Sequence, residues 1–167
     1  MTRKLPLLLA ASLVFALPSA FAQQPTPTSP APSTSPTSPT YDSELAAQVG
    51  ADDYGMRSYV LVILKTGPTP VPEGEARKAM FAGHFANMKR LAEEGKLALA
   101  GPFSEDPAGW RGLFVLAVDD IDAARELVGT DPVVTNGEMV AEYHNWYGSA
   151  ATMLLPELHK QVARKNP

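Results

Sequence analysis

Residues 57–147 carry elements in the order β-α-β-β-α-β, which predicts an α+β domain of the ferredoxin-like kind, a four-stranded antiparallel sheet with both helices on one face. Three observations predict it. Short runs dense in β-branched, aromatic and leucine residues occur four times. Two stretches closed by glycine read as helices, one between the first and second runs and one between the third and fourth. The link between the second and third runs is rich in Pro and Gly, which suits a long hairpin loop.

Taken in order, Asp42 is placed to cap a short helix over residues 43–49, stopped by Gly50. Residues 57–66 (RSYVLVILKT) are apolar on both faces in the middle, the pattern of a central strand. A Pro- and Gly-rich loop over 67–74 leads into a helix from about Glu75 to Glu94, with Gly95 as its C-terminal stop. Residues 96–101 (KLALAG) and 111–118 (RGLFVLAV) read as the next two strands, joined by a loop holding Pro102, Pro107 and Gly109. Asp120 or Asp119 caps a helix over 121–128 that ends at Gly129. Asp131-Pro132 opens a short turn closed by Asn136-Gly137, and residues 138–147 form the last strand.

With both helices on one face, the other face of the sheet must find its own cover. Tyr59, Leu61, Phe114, Leu116 and Tyr143 are expected to point that way. An apolar face of that size is unusual on a soluble monomer, so two sheets stacked face to face, a homodimer, are expected.

The flanks divide the rest of the chain. Residues 1–22 read as a signal peptide: Arg3 and Lys4 form a positive start, 5–17 is apolar apart from Pro6 and Ser12, and Ala20-Phe21-Ala22 offers a cleavage site before Gln23. An apolar stretch that short falls below the ~20 residues a spanning helix needs. The protein is therefore expected in the periplasm or secreted, with no membrane attachment after cleavage. Residues 23–40 hold 6 Pro and 9 Ser or Thr and no charge, the composition of a disordered tether. Residues 41–56 form an N-terminal helical extension, 57–147 the domain, and 148–167 a C-terminal tail.

Several chemistries are excluded or weakened. The chain has no cysteine, so disulfides, thiolate ligands, a cysteine nucleophile and a lipid-modified cysteine anchor are ruled out. Loss of residues 1–22 leaves 12 basic against 18 acidic residues, a net of −6, and no basic cluster with interleaved aromatics, so nucleic acid is not an expected partner. The three histidines lack metal-binding spacing, and no metal or cofactor is expected. There is no GxSxG elbow, Ser149 reads as a turn residue, and the glycines after strand one lack phosphate-loop spacing.

Four residues stand out as site candidates. On the wheel of the long helix, His84 falls inside the apolar arc with Met80, Met88 and Leu91. There it is either a core histidine bonded to a backbone carbonyl or an imidazole oriented by a carboxylate. Asp131 before Pro132 reads as an N-cap, and a cap carboxylate has a second oxygen free for an imidazole. His144 shares a strand face with Glu142 and Trp146, either lining a pocket or simply half-exposed. Arg111 opens the third strand and is either a surface cation or a holder for an anionic ligand. His159 sits in the polar tail and reads as solvated.

From His84 the chain runs H-F-A-N-M-K-R-L-A-E-E-G-K-L-A-L-A-G-P, followed by L-V-G-T-D-P and a final strand ending Y-H-N-W. In these stretches it resembles the YCII-related (YciI-like) family of small dimeric α+β barrel proteins, over roughly residues 57–147. The Y-G-M-R-S-Y-V-L-V-I-L-K-T-G start and the Y-G-S-A-A near the end resemble exported members. The resemblance implies a dimer with a pocket beside a His and an Asp proposed as a catalytic pair, here His84 and Asp131. It also places Arg111 toward the pocket side. Most members have no established reaction, and one relative is a dehydrochlorinase in chlorinated-aromatic breakdown, which shows what the scaffold can host. Two functions follow. One is a cofactor-free enzyme acting on a small cyclic or aromatic compound by proton abstraction, with elimination or isomerisation. The other is a non-catalytic dimer that binds a small ligand or serves as an interaction module.

Overall fold

A computed structural model describes residues 40–165. The expected signal peptide and almost all of the Pro/Ser/Thr-rich tether lie outside the described residues. The elements run α1 (Ser43–Val49), β1 (Met56–Thr66), α2 (Glu75–Glu93), β2 (Leu97–Pro102), β3 (Trp110–Leu116), α3 (Ile121–Val128), α4 (Pro132–Thr135) and β4 (Met139–Ser149). A 3-10 turn (Ala150–Leu154) and α5 (Leu155–Val162) follow. The four strands form one antiparallel sheet in the order β2-β3-β1-β4, the ferredoxin-like arrangement.

Local chemistry accounts for the boundaries. Asp42 caps α1 through the N–H groups of Glu44 and Leu45, each at 3.0 Å, and Gly50 ends the helix in the left-handed region. Asp120, not Asp119, caps α3, accepting from Ala123 N–H at 2.8 Å. Gly95, at φ +68, turns the chain from α2 into β2.

The helices α2, α3 and α4 and the inner face of the sheet enclose the main core, with Val60, Val62, Leu64, Leu91, Leu116, Val128 and Val133 almost wholly buried. Here the structure corrects the expected facing of three residues. Val62 pairs with both Phe114 and Tyr143, and Val60 pairs with Leu116. Directly paired residues share a face, so Phe114, Leu116 and Tyr143 point toward the helices. Tyr59 and Leu61 do occupy the opposite face, with Ala98, Val115 and Ala117.

That opposite face is partly covered by the chain itself. Residues 148–167 are not simply a tail: β4 continues to Ser149, which then caps the 3-10 turn, accepting from Ala151 N–H at 3.3 Å. The turn sets Met153 against Tyr59, Ala98, Val115 and Ala117. Tyr59 donates its hydroxyl to Ser149 O at 3.0 Å, and Ala150 N–H donates to Gly55 O at 2.9 Å, which fixes the segment to the sheet and to the turn before β1. One end of the face is thus closed. The other end, around Leu61, Leu113 and Trp110, stays open.

Candidate active site

The helical spacing of α2 turns Met80, His84 and Leu91 inward, so the imidazole is packed against the sheet and is only 8% exposed. Three aromatic rings surround it. Phe114 of β3 stacks at 6.0 Å and 25°, Phe81 meets it edge-on at 6.2 Å, and Phe85 lies 5.4 Å away at 56°. The chain returns to this place after α3. Asp131 N–H donates to Val128 O at 3.0 Å, and Pro132 then starts α4.

Asp131 is fully buried and fills both roles read from its sequence context. It caps α4, with Oδ1 accepting from Val133 N–H at 3.1 Å. It also faces His84 Nδ1 with both oxygens, at 3.0 Å from Oδ1 and 2.8 Å from Oδ2. A carboxylate only accepts, so Nδ1 carries a hydrogen, and in the neutral ring Nε2 carries the lone pair. Nε2 has no hydrogen-bond partner among the described residues. A close approach brings the two segments together: a Cβ on Gly83 would stand 2.9 Å from Pro132 Cγ.

A second buried carboxylate adjoins this site, and the sequence reading passed over it. Glu138 is 3% exposed and accepts from Val71 N–H at 2.7 Å and from Arg77 Nη1 at 2.7 Å. Burial pushes its pKa up, but the Val71 and Arg77 hydrogen bonds and the charges of Arg77 and Arg111 outweigh that, and the net shift is downward. The Arg77 guanidinium lies 4.9 Å over the Phe81 ring, whose edge meets His84. A signal existed. Arg77 precedes His84 by seven residues, hence shares its helix face, and an inward arginine requires a carboxylate.

The remaining candidates are placed as follows. Arg111 lies at a register shift of the β1–β3 ladder, its Nη1 3.8 Å from Glu138 Oε1, so it neighbours the Arg77 cluster and does not touch His84. His144 is on the other face of the sheet, exposed, with Nε2 2.8 Å from Glu142 Oε1. Within one chain the structure therefore joins His84 to Asp131, sets Arg111 beside the Glu138–Arg77 pair, and leaves His144 apart. Trp146 shares the His144 face and tilts against Tyr59 at 5.4 Å. His159 is exposed on α5. No group of three metal-ligating side chains gathers among the described residues.

The model of the YCII-related domain matches residues 58–146, which reach into all four strands and span α2 to α4. The chain belongs to this family. It is 35% identical over 65 residues to an uncharacterized protein, YjpA, of Bacillus subtilis (strain 168), an overlap covering 39% of this chain and 73% of YjpA. Among solved structures it is similar to 5-chloro-2-hydroxyhydroquinone dehydrochlorinase (TftG) from Burkholderia phenoliruptrix AC1100, in complex with 2,5-dihydroxybenzoquinone. That similarity has 18% identity and a TM-score of 0.38, covering 52% of this chain and 92% of that one. The YCII-related match thus ends close to the visible end of β4, and the 3-10 turn and α5 lie beyond it.

Proposed function

We propose that this YCII-related domain is a small-molecule enzyme that works by proton transfer, with His84 as the acid–base group and Asp131 orienting it. One observation carries the reading: both oxygens of a buried carboxylate hold Nδ1, while Nε2 has no hydrogen-bond partner among the described residues. In that tautomer Nε2 takes a proton from an acidic C–H or O–H of the substrate. The imidazolium that forms is stabilised by the Asp131 charge across 2.8 Å. A leaving group then departs, or the proton returns at another carbon, giving elimination or isomerisation. The step needs only the imidazole and the carboxylate. The aromatic rings around His84 suit a small cyclic or aromatic substrate, and Arg111, half-exposed beside the Arg77 cluster, suits an anionic substituent on it.

The reading includes export to the periplasm or beyond, supported by the sequence of residues 1–22, and a homodimer formed over the open part of the sheet face. The test is solvent-deuterium incorporation into small phenols, quinols and lactones, followed by NMR, for wild type, His84→Gln and Asp131→Asn. Wild type should exchange at least one substrate carbon position, with losses of about 100-fold or more in both variants. Equal exchange by all three proteins would end the proposal.

A further inference from the structure

Gly83 stands inside α2 next to His84, and its backbone is helical, so the conformation there does not require a glycine. Helical propensity disfavours one, since glycine is the poorest helix former after proline. What the position requires is space. A Cβ on Gly83 would meet the ring of Pro132 at 2.9 Å from Cγ, 3.7 Å from Cβ and 4.0 Å from Cδ. Carbon atoms rest about 3.5–4.0 Å apart, so the first of these is too close by roughly 0.6 Å. A proline side chain is closed onto its own backbone and cannot swing aside, so the chain at Pro132 would have to move.

Three consecutive residues meet α2 at this place. Thr130 Oγ1 donates to Asn87 Oδ1 at 3.1 Å, Asp131 Oδ2 accepts from His84 Nδ1 at 2.8 Å, and Pro132 lies on Gly83. Arg90 Nη2 donates to Asn87 Oδ1 at 2.8 Å and to Thr130 Oγ1 at 3.3 Å, which braces the first contact from the helix. Asp131 thus hangs between a polar anchor and a steric stop. Pushing Pro132 off Gly83 tilts the run about Thr130 and moves Asp131 by about half as far. Contacts of 2.8 and 3.0 Å then reach the limit of hydrogen-bonding range, about 3.2 Å.

We infer that Gly83 is a positioning residue for the His84–Asp131 pair: its missing side chain sets the separation of α2 and α4 at which the carboxylate holds the hydrogen on Nδ1. The inference rests on the proposed working pair and adds what keeps that pair in register. The hydrogen bond at one ring nitrogen fixes the tautomer. A loosened Asp131 therefore lets the hydrogen pass to Nε2, which removes the base from the position that would meet a substrate.

The test reads histidine ring-nitrogen shifts by NMR in the isotope-labelled full chain, in mildly alkaline buffer, with His84→Gln assigning the His84 signals among the three histidines. Wild type should carry the hydrogen on Nδ1. Gly83→Ala should raise the share of the Nε2–H form about fivefold, a part of what a charge-assisted hydrogen bond is worth. Pro132→Ala removes Cγ and Cδ and should leave the tautomer as in wild type. Gly83→Ala/Pro132→Ala should restore it, because the nearest contact left to the new Cβ is the ordinary one of 3.7 Å. A merely structural glycine would change the melting temperature and not the tautomer. The inference is overturned if Gly83→Ala keeps the wild-type tautomer, or if the double variant does not regain it. Should Gly83→Ala fail to fold, the double variant decides: the wild-type tautomer in it upholds the inference, and any other result overturns it. If wild type exchanges no deuterium into any compound while Gly83→Ala still moves the tautomer, the proton-transfer reading falls and the positioning role stands.

Discussion

Replacing Asp131 by Asn changes one heavy atom at the junction of α2 and α4 and tests the proposed pair directly. The carboxylate serves Val133 N–H with Oδ1 and His84 Nδ1 with both oxygens, all in a fully buried position. An amide has one acceptor and one donor end. If its oxygen keeps the cap, its NH2 faces Nδ1 and forces the hydrogen onto Nε2. If its oxygen turns to Nδ1–H, the NH2 confronts Val133 N–H and the cap is lost. Either arrangement removes a charge-assisted hydrogen bond, about 1.5–3 kcal/mol. For a domain of this size that is a fall in melting temperature of roughly 5–10 °C. The first arrangement also takes the lone pair away from Nε2, and comparable wrong-tautomer variants of Ser-His-Asp triads lose about 10⁴ in rate. Nitrogen chemical shifts of the His84 ring report the tautomer without knowledge of the substrate. An Asp131→Asn protein with the wild-type tautomer and a melting temperature within about 1 °C would refute the argument.

Glu138→Gln should cost about 3 kcal/mol, because Arg77 keeps its charge and loses its buried partner. The folded pKa of Glu138 lies below its ordinary value of 4.5, so its contribution is present above that value and fades as the pH falls through the lowered pKa; acid unfolding curves should show the low-pH limb flattened in the variant. Deleting residues 150–167 uncovers Tyr59, Ala98, Val115 and Ala117, and should lower the melting temperature and promote association, as read by light scattering. Full-length protein at micromolar concentration should scatter as a dimer, and a monodisperse monomer would count against the stacked-sheet assembly. Mass analysis of exported protein should give a chain beginning at Gln23, and a mature chain that still carries residues 5–15 would refute cleavage.

Local signals made much of this structure readable in the sequence. Capping residues and glycines act within one turn, so α1, α2 and α3 are found close to their expected bounds, and Asp120 proves to be the cap. His84 was placed inward by helical period alone, and Asp131 was recognised as a cap with a spare oxygen. What was misread depends on pairing between distant segments. β1 is apolar on both faces, so a period of two gives no direction, and only its ladders with β3 and β4 turn Phe114, Leu116 and Tyr143 toward the helices. The face of the edge strand β4 is known only once its register is, so the sequence left open whether His144 lines a pocket, and pairing with Leu61 sets it on the face away from His84. The helical segment after Ser149 was missed because its anchors are remote in sequence: Met153 packs against Tyr59, whose hydroxyl donates to Ser149 O. Glu138 looked like an ordinary first residue of a strand, and its two arginines come from α2 and β3.

The His84–Asp131 contact links positions 47 residues apart, one on α2 and the other on the turn between α3 and α4. Each belongs to a different half of the β-α-β-β-α-β chain, and nothing local holds them together. The proton on Nδ1 is therefore a clock for the domain as a whole. It can trade with solvent only when α2 lifts from the second half, so its lifetime measures how often the two halves separate. Compared with backbone amides of the strands, the same proton shows whether that parting is a local lift of one helix or global unfolding. In the first case its exchange outpaces the slowest strand amides; in the second they leave together.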